Sequence, residues 1–295
     1  MTRRALVTGI TGFIGGKLAE RLIADGWHVE ALVRSGSDLS GLPFAGMVTF
    51  HRVAEGQDLT PIVTQARPDV VFHLASLYLA EHRPEQIGAL VESNILFPTL
   101  LAEAMVASGV NRIINTGTAW QHFGGDSYLP VNLYAATKQA AEDLLLYYAD
   151  AKGLSLVTLR LFDTYGEGDK RRKLIQILVD ATRSGDPIAM SPGEQVVDMT
   201  HVDDVVSAFV LTAERLMSEP GQLREVRHVS GERQRVRDLA ALVERVLGRT
   251  ISADFGGRPY RAREVMMPPA PNDSEKVPDW SRIHTIESYL SGMEA

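Results

Sequence analysis

Short apolar runs alternate with longer stretches of helical periodicity through the first half of the chain. Ala5–Thr8 is a compact run of buried-strand type, and Gly9 to Gly16 is a glycine-rich turn. Lys17 to Ala24 is amphipathic and stops at Asp25-Gly26. His28–Val33, Val48–Val53 and Asp69–Ala75 give a second, third and fourth strand. A long helical pattern runs from about Pro84 to Ser108. Arg112–Asn115 is a fifth strand, Pro130 to Lys152 is helical, and Leu156–Phe162 is a sixth strand. Apolar runs too short for helices, interleaved with amphipathic helices, predict β-α-β units with parallel strands buried on both faces. Right-handed crossovers then place helices on both sides of a doubly wound α/β sheet.

After about residue 165 the pattern changes. Turn signals multiply at Gly166, Gly168, Gly185-Asp-Pro187, Pro192-Gly193 and Pro220-Gly221, and the helical stretches shorten to Asp203–Leu216 and Val236–Leu247. From Gly256 the chain is rich in Pro and Arg with little periodicity. The expected division is a nucleotide-binding core over 1–165 and a smaller substrate-binding part over 166–295. The chain is expected to return to the core near 195–215. Such a cap would lie over the C-terminal edge of the strands, where open α/β sheets bind ligands.

Composition narrows the function. The 295 residues are 45% hydrophobic, enough for a substantial core. The net charge of −7 argues against a nucleic-acid or anionic-membrane surface, which calls for excess Lys and Arg. With no cysteine, thiol nucleophiles, disulfides and zinc-thiolate sites are excluded, and no metal site is expected. No run reads as the roughly 18 apolar residues of a membrane span, and the N-terminus lacks a signal-peptide pattern. A cytoplasmic protein is expected.

The turn Gly9-Ile-Thr-Gly12-Phe-Ile-Gly15 joins the first strand to the first helix. Gly9 allows the tight turn, Gly12 lets backbone N–H groups approach a pyrophosphate, and Gly15 lets the helix pack on the strand. The phosphates would sit at the helix N-terminus, as in a Rossmann-type sheet. At the end of the second strand, an NAD site wants a carboxylate for the ribose hydroxyls, but here the strand ends Leu32-Val33-Arg34-Ser35, with Ser37 beyond. A guanidinium forms charge-assisted bonds with a 2′-phosphate, so Arg34 favours NADP(H). The cofactor-facing set is Gly9, Thr11, Gly12, Phe13, Ile14, Gly15, Arg34, Ser37, Asp58, Leu59, Leu74, Ala75, Ser76, Asn94, Thr116, Tyr134, Lys138 and Phe162. Asp58 can accept the adenine amino group or simply cap the next helix. The amide of Asn94 can hold a neighbouring backbone or face solvent.

Tyr134-Ala-Ala-Thr-Lys138 puts Tyr and Lys four apart on one helix face. A carbonyl accepting hydride needs a proton, and Tyr can supply it. Its free pKa near 10 suits neutral pH poorly, and a nearby ammonium would favour the phenolate. Lys138 can also bond the nicotinamide ribose. Upstream, Arg112-Ile-Ile-Asn-Thr116-Gly-Thr118 runs a strand into two hydroxyls. The apolar register favours Thr118 as the group that bonds the substrate oxygen, with Thr116 lining the nicotinamide side. A slip of two residues would exchange them.

These pieces together resemble the extended short-chain dehydrogenase/reductases that act on nucleotide-activated sugars. The resemblance covers nearly the whole chain, through Gly9/Gly12/Gly15, Asp58-Leu59, His73-Leu-Ala75, Thr118, Tyr134/Lys138, Leu159-Arg160, Tyr165-Gly166 and His201-Val-Asp203-Asp204-Val205. Asn115-Thr-Gly-Thr118, Asn132-Leu-Tyr134-Ala-Ala-Thr-Lys138 and Arg258-Pro-Tyr-Arg261-Ala-Arg-Glu-Val265-Met266 look like a narrower group, the CDP-abequose and CDP-paratose synthases, which reduce the 4-keto group of a CDP-linked deoxysugar. The resemblance implies Thr118, Tyr134 and Lys138 as catalytic residues. It also implies a nucleotide-sugar substrate, with Thr118, Trp120, Asp163, Arg258 and Arg261 (and Arg263 beside them) as substrate-binding candidates. Dehydratase relatives carry Asp-Glu after the catalytic Thr, whereas Ala119-Trp120 follows here. The expected activity is NADPH-dependent reduction of the 4-keto group of a nucleotide-linked 4-keto-6-deoxyhexose. A nucleotide-sugar epimerase, a reductase of a non-sugar ketone and a non-catalytic NADP-sensing protein stay open. Two departures stand out: Asp163 where relatives often have Asn, and Val197 where many have Arg. Relatives often pair two long helices into a dimeric four-helix bundle. Here that would use Leu96, Leu100, Leu101 and Met105 with Leu144, Leu145 and Tyr148, and a homodimer is expected.

Overall fold

A computed structural model of the chain describes residues 2–125 and 127–293. Strand β1 (Arg4–Thr8) leads through the glycine turn into α1 (Phe13–Ala24), which starts at Phe13 rather than at Lys17. Glycine is the reason. A Cβ on Gly15 would stand 2.2 Å from the Gly9 carbonyl oxygen, so the first helical turn can press against the end of β1 only without a side chain there. Next come β2 (His28–Arg34), β3 (Val48–Val53), α2 (Thr60–Ala66) and β4 (Val70–His73). The predicted helix over 84–108 is composite: α3 (Ile87–Val91) and α4 (Phe97–Ala107) are joined by a π-helical turn over Glu92–Leu96. Then follow β5 (Arg112–Thr118), a 3-10 turn over Ala119–Gln121, α5 (Leu133–Lys152) and β6 (Ser155–Leu161). Helix α5 begins at Leu133, not at Pro130, because Asn132 caps it by accepting the Ala135 N–H at 2.9 Å.

The remainder contains β7 (Asp163–Tyr165), α6 (Leu174–Ser184), β8 (Ile188–Met190), β9 (Val196–His201) and α7 (Val202–Ser218). It ends with β10 (Arg224–Val229), β11 (Glu232–Arg235), α8 (Val236–Leu247), β12 (Ala253–Phe255) and α9 (Ile286–Gly292). The central sheet has seven strands in the order β10-β6-β5-β4-β1-β2-β3, and each neighbouring pair is parallel. A three-stranded sheet (β11-β9-β7) and a two-stranded one (β12-β8) build the smaller lobe.

Both faces of the central sheet are covered, as the unbroken apolar strands require. Ala5 and Val7 of β1 enter one cluster with Leu18 and Leu22 of α1 and Phe209 of α7. Leu6 enters the other with Leu101 and Met105 of α4 and Leu145 of α5. A third cluster, with Tyr165, Leu178, Leu239, Val243 and Leu290, belongs to the smaller lobe. The return to the core is longer than residues 195–215: α7 and all of β10 belong to it, through Val205, Phe209 and Val229.

One expectation is corrected here. By length and composition alone, the helical stretch Pro84–Ala107 is apolar enough to cross a membrane, contrary to the reading that no run is. In the fold, Leu90, Leu101, Ala102 and Met105 of that stretch are buried. Its apolarity therefore serves a helix packed on the sheet. Of the apolar residues that offer either a dimer face or core, Leu101, Met105, Leu145 and Tyr148 are core. The exposed ones are Leu96 and Leu144, joined by Ile87, Val91, Leu146 and Tyr147.

Candidate active site

The site forms where β1, β4, β5 and β6 end. Gly9 has φ +75, and a Cβ on it would come within 2.7 Å of the backbone of Leu74 and Ala75. The turn therefore lies directly on the end of β4. Gly12 is the N-cap of α1 and no side chain caps that end, which leaves its first N–H groups for an anion. Thr11 and Gly12 are exposed and Phe13 and Ile14 half-buried around this end. These residues fit a dinucleotide: a cradle that a Cβ would fill, and a helix end without its own acceptor. Thr8 locks the neighbouring segment, accepting the Ala75 N–H at 3.1 Å and sharing a hydrogen bond with Nδ1 of His73 at 2.9 Å.

Asn94 is buried, not on the helix surface. Its carbonyl oxygen accepts from the Leu77 N–H at 2.7 Å and the Ser76 hydroxyl at 3.2 Å. Its NH2 donates to the Leu77 carbonyl at 3.0 Å and to Thr137 Oγ1 at 3.0 Å. The π turn carries this residue, and the extra backbone residue is what aims its amide inward. Asn132, which sequence reasoning did not single out, donates to the Ala80 carbonyl at 3.0 Å. Together these amides pin the segment after β4 onto α5.

The two hydroxyls at the end of β5 differ. Thr116 donates to the His73 carbonyl at 2.8 Å, so it is engaged within the sheet. Thr118 accepts the Trp120 N–H at 3.3 Å, and its own N–H is held by Gln121 Oε1 at 2.9 Å. Among the described residues its hydroxyl proton has no carbonyl partner of that kind, in contrast to Thr116.

Tyr134 and Lys138 share one face of α5. Burial pushes the Tyr134 phenol up to about 12, with the Ser76 hydroxyl and Arg171 opposing and Tyr78 adding to the rise. Among the protein's own groups, removal from water outweighs the opposing Ser76 hydroxyl and Arg171 charge. Lys138 is itself buried, which brings its ammonium down to about 8 against the opposing charge of Glu142. His73 stays neutral, lowered to about 3 by burial and by Lys138. The arrangement therefore presents a protonated phenol at neutral pH, beside a lysine that titrates close to it.

The mouth is aromatic and basic. Tyr78, absent from the sequence-based set, stands edge-on to Tyr134 with ring centroids 5.0 Å apart and lies 5.9 Å from Trp120. Its phenol is raised by burial and by the charge of Asp163, against the lowering charges of Arg261 and Arg171. Arg171 is held bidentately by Asp169 at 2.7 and 2.8 Å and lies over the Phe13 ring. The basic run Lys170-Arg171-Arg172-Lys173 was the available signal for it. Asp163 is paired with Lys173 at 3.5 Å. Arg263 is not in the mouth: it donates to the Pro130 and Val131 carbonyls and stacks on Phe123, strapping the tail to the α5 entry. Arg258 is exposed next to Met190 of the smaller lobe, and Arg261 is exposed, with its N–H on Glu264 Oε2 at 3.4 Å.

Farther along, Arg34 is the exposed last residue of β2 and Ser37 is half-buried in the loop after it. Arg52 of β3 donates to the Ser35 and Ser37 carbonyls at 2.6 and 3.0 Å, holding that loop. Asp58 accepts the Thr60 N–H at 2.9 Å ahead of α2, and the N-cap Leu59 is buried. Phe162 packs near His228, ring centroids 6.1 Å apart. Away from all of these, His201, Asp203 and His284 bring ligand-type atoms within 4.8 Å of one another beside a cavity of about 790 Å³. Both imidazoles there already have partners, His201 with Glu167 at 3.2 Å and His284 with Asp204 at 3.0 Å.

Residues 5–223 match the NAD dependent epimerase/dehydratase family. The chain is similar to CDP-abequose synthase of Yersinia pseudotuberculosis, with 25% identity over 268 residues covering 90% of this chain and 91% of that protein. It is also similar to UDP-glucose 4-epimerase of Mycolicibacterium smegmatis, with 29% identity covering 70% of this chain and 72% of that protein. Among solved structures, MoeE5 in complex with UDP-glucuronic acid and NAD superposes with a TM-score of 0.82, at 28% identity, over 98% of this chain and 96% of that one.

Proposed function

Because the chain belongs to the NAD dependent epimerase/dehydratase family, we propose that it is a nucleotide-sugar enzyme that reduces the 4-keto group of a nucleotide-linked 4-keto-6-deoxyhexose with NADPH. One observation carries the choice of reduction. Strand β2 ends on the exposed Arg34, while its one carboxylate, Glu30, is buried mid-strand and engaged by Arg4 at 2.7 Å and His51 at 2.6 Å. That leaves a guanidinium for a 2′-phosphate and no strand-end carboxylate to repel it. NADPH works as a dissociable reductant, which suits a net reduction.

Bound along the Gly9–Gly15 turn and the end of β4, the cofactor supplies the hydride. The chain's own groups do the rest. Thr118 donates to the substrate oxygen and holds it. Tyr134, protonated at neutral pH, delivers its proton to that oxygen as negative charge develops there, a favourable transfer because an alkoxide is far more basic than a phenolate. Lys138 stabilises the resulting phenolate and orients the ribose. Asn94 and Asn132 keep the segment after β4 fixed, and Tyr78 and Trp120 shield the reacting oxygen from water. Arg171 and Arg261 stand where a diphosphate would meet two guanidiniums.

The abequose-synthase relatives support this reading. The epimerase relative and the NAD-bound neighbour favour a second one, a nucleotide-sugar 4-epimerase that keeps its cofactor. Two parallel incubations decide: NADPH-specific oxidation with a CDP-linked 4-keto-6-deoxyhexose supports the first, and conversion of a UDP-hexose into its 4-epimer without added cofactor supports the second. The exposed Ile87, Val91, Leu96, Leu144 and Tyr147 are consistent with a homodimer through these helices.

A further inference from the structure

Thr118 and Lys138 stand on different elements, yet one buried carboxylate serves both. We propose that Glu142 is a positioning residue of this site, fixing the Thr118 backbone through Gln121 while standing one helical turn along α5 from Lys138, whose charge it supports. The inference rests on the roles given to Thr118 and Lys138 above.

Helix α5 carries Tyr134, Lys138 and Glu142 at successive four-residue steps, hence in one stripe. Glu142 Oε1 accepts from Arg160 Nη2 at 2.7 Å, and Oε2 accepts from Gln121 Nε2 at 3.1 Å. Gln121 is fully buried, and its other end accepts the Thr118 N–H at 2.9 Å, while Nε2 also donates to Gln139 Oε1 at 2.6 Å. The amide cannot turn over without setting its NH2 against the Thr118 N–H and its oxygen against the Glu142 carboxylate. Glu142 thus selects the orientation of Gln121, and Gln121 fixes the turn that begins at Thr118. Gly117 supplies the space: a Cβ there would lie 2.9 Å from Thr158 Cγ2, 3.0 Å from Arg160 Cγ and 3.0 Å from Gln121 Oε1.

The same carboxylate acts on Lys138 by charge. The charged or titratable groups that bear on Lys138 are His73 from β4, which is neutral, and Glu142 and the protonated Tyr134 from α5 itself. Among the described residues, Glu142 is the anion that opposes the desolvation of this lysine. It does so from one helical turn away, with Arg160 holding its other side. Arg160 in turn meets His122 Nε2 at 2.7 Å, and the neutral His228 stands beside it on β10. The carboxylate is therefore anchored by groups that take no part in the reaction.

Glu142→Gln keeps the shape and one acceptor for Gln121 but removes the charge. The test is the affinity of the full chain for whichever of NADPH or NADH binds more tightly, followed by fluorescence from roughly pH 6 to 10. Wild type loses affinity as Lys138 deprotonates, and in Glu142→Gln that limb is expected about one pH unit lower. Glu142→Gln/Arg160→Gln removes the whole pair, guards against an unpaired buried guanidinium in the single variant, and is expected to show the same displacement. In Gln121→Leu the limb stays in place while kcat falls about tenfold or more at constant cofactor affinity. A limb that does not move in either Glu142 variant, with only the melting temperature lowered, overturns the proposal, as does an unchanged kcat in Gln121→Leu. The pH limb is read without a keto substrate. A shifted limb with no reduction of any 4-keto sugar nucleotide therefore sinks the reductase reading alone.

Discussion

Tyr78 presents its ring edge-on to Tyr134, with centroids 5.0 Å apart and planes at 80°. It is one reason the Tyr134 phenol sits at about 12 instead of near 10. Tyr78→Ala exposes that phenol to water, and its titration is expected to fall by about one unit, since each unit reflects roughly 1.4 kcal/mol of differential stabilisation. Ultraviolet difference titration of Tyr78→Ala against Tyr78→Ala/Tyr134→Phe isolates the signal. An unmoved titration would mean that the shielding comes from elsewhere.

The two hydroxyls of β5 are separable by mutation. Thr118→Val removes the donor to the substrate oxygen and is expected to lower kcat about 10²–10³-fold with little change in stability. Thr116→Val loses its bond to the His73 carbonyl and is expected to cost about 1 kcal/mol of stability, with kcat reduced less than about tenfold. Steady-state kinetics and urea unfolding on both variants check the pair, and the reverse pattern would exchange their roles.

Acid should destabilise the fold through its buried histidines. His73 is lowered to about 3 and His228 to about 4, whereas an unfolded histidine titrates near 6.5. The unfolded state thus binds more protons between those values. The stability that neutral His73 provides is complete above about pH 6.5 and is lost progressively as pH falls toward 3. His73→Asn should flatten the decline of the urea midpoint between neutral pH and about pH 4.5. An equally steep decline in the variant would assign it to other groups.

Tyr147 is 56% exposed and Val91 42% exposed on adjoining helices. If they meet a second copy, Val91→Glu/Tyr147→Asp yields a monomer by size-exclusion chromatography with light scattering. Its melting temperature at matched concentration should fall as the binding contribution is lost. A wild-type monomer at micromolar concentration would remove the homodimer from the account.

The layered architecture was legible because parallel strands buried on both faces leave unbroken apolar runs, as in Ala5–Val7 and Val70–Phe72. Gly9, Gly12 and Gly15 were legible because the backbone approach they permit has no substitute. What escaped depends on contacts distant in sequence. Tyr78 reads as an ordinary loop aromatic until Trp120 and Tyr134 come beside it. The π turn at Asn94 has no periodic signature, and Arg263 was indistinguishable from Arg261 in a basic tail until Pro130 and Val131 claimed it.

The most direct test of the central claim is to follow cofactor oxidation with a CDP-linked 4-keto-6-deoxyhexose, using NADPH and NADH in parallel. The account predicts one NADPH oxidised per sugar reduced, a marked preference for NADPH that Arg34→Asp abolishes, and loss of turnover in Tyr134→Phe. No consumption of NADPH, together with interconversion of a UDP-hexose and its 4-epimer on retained NAD, would contradict it.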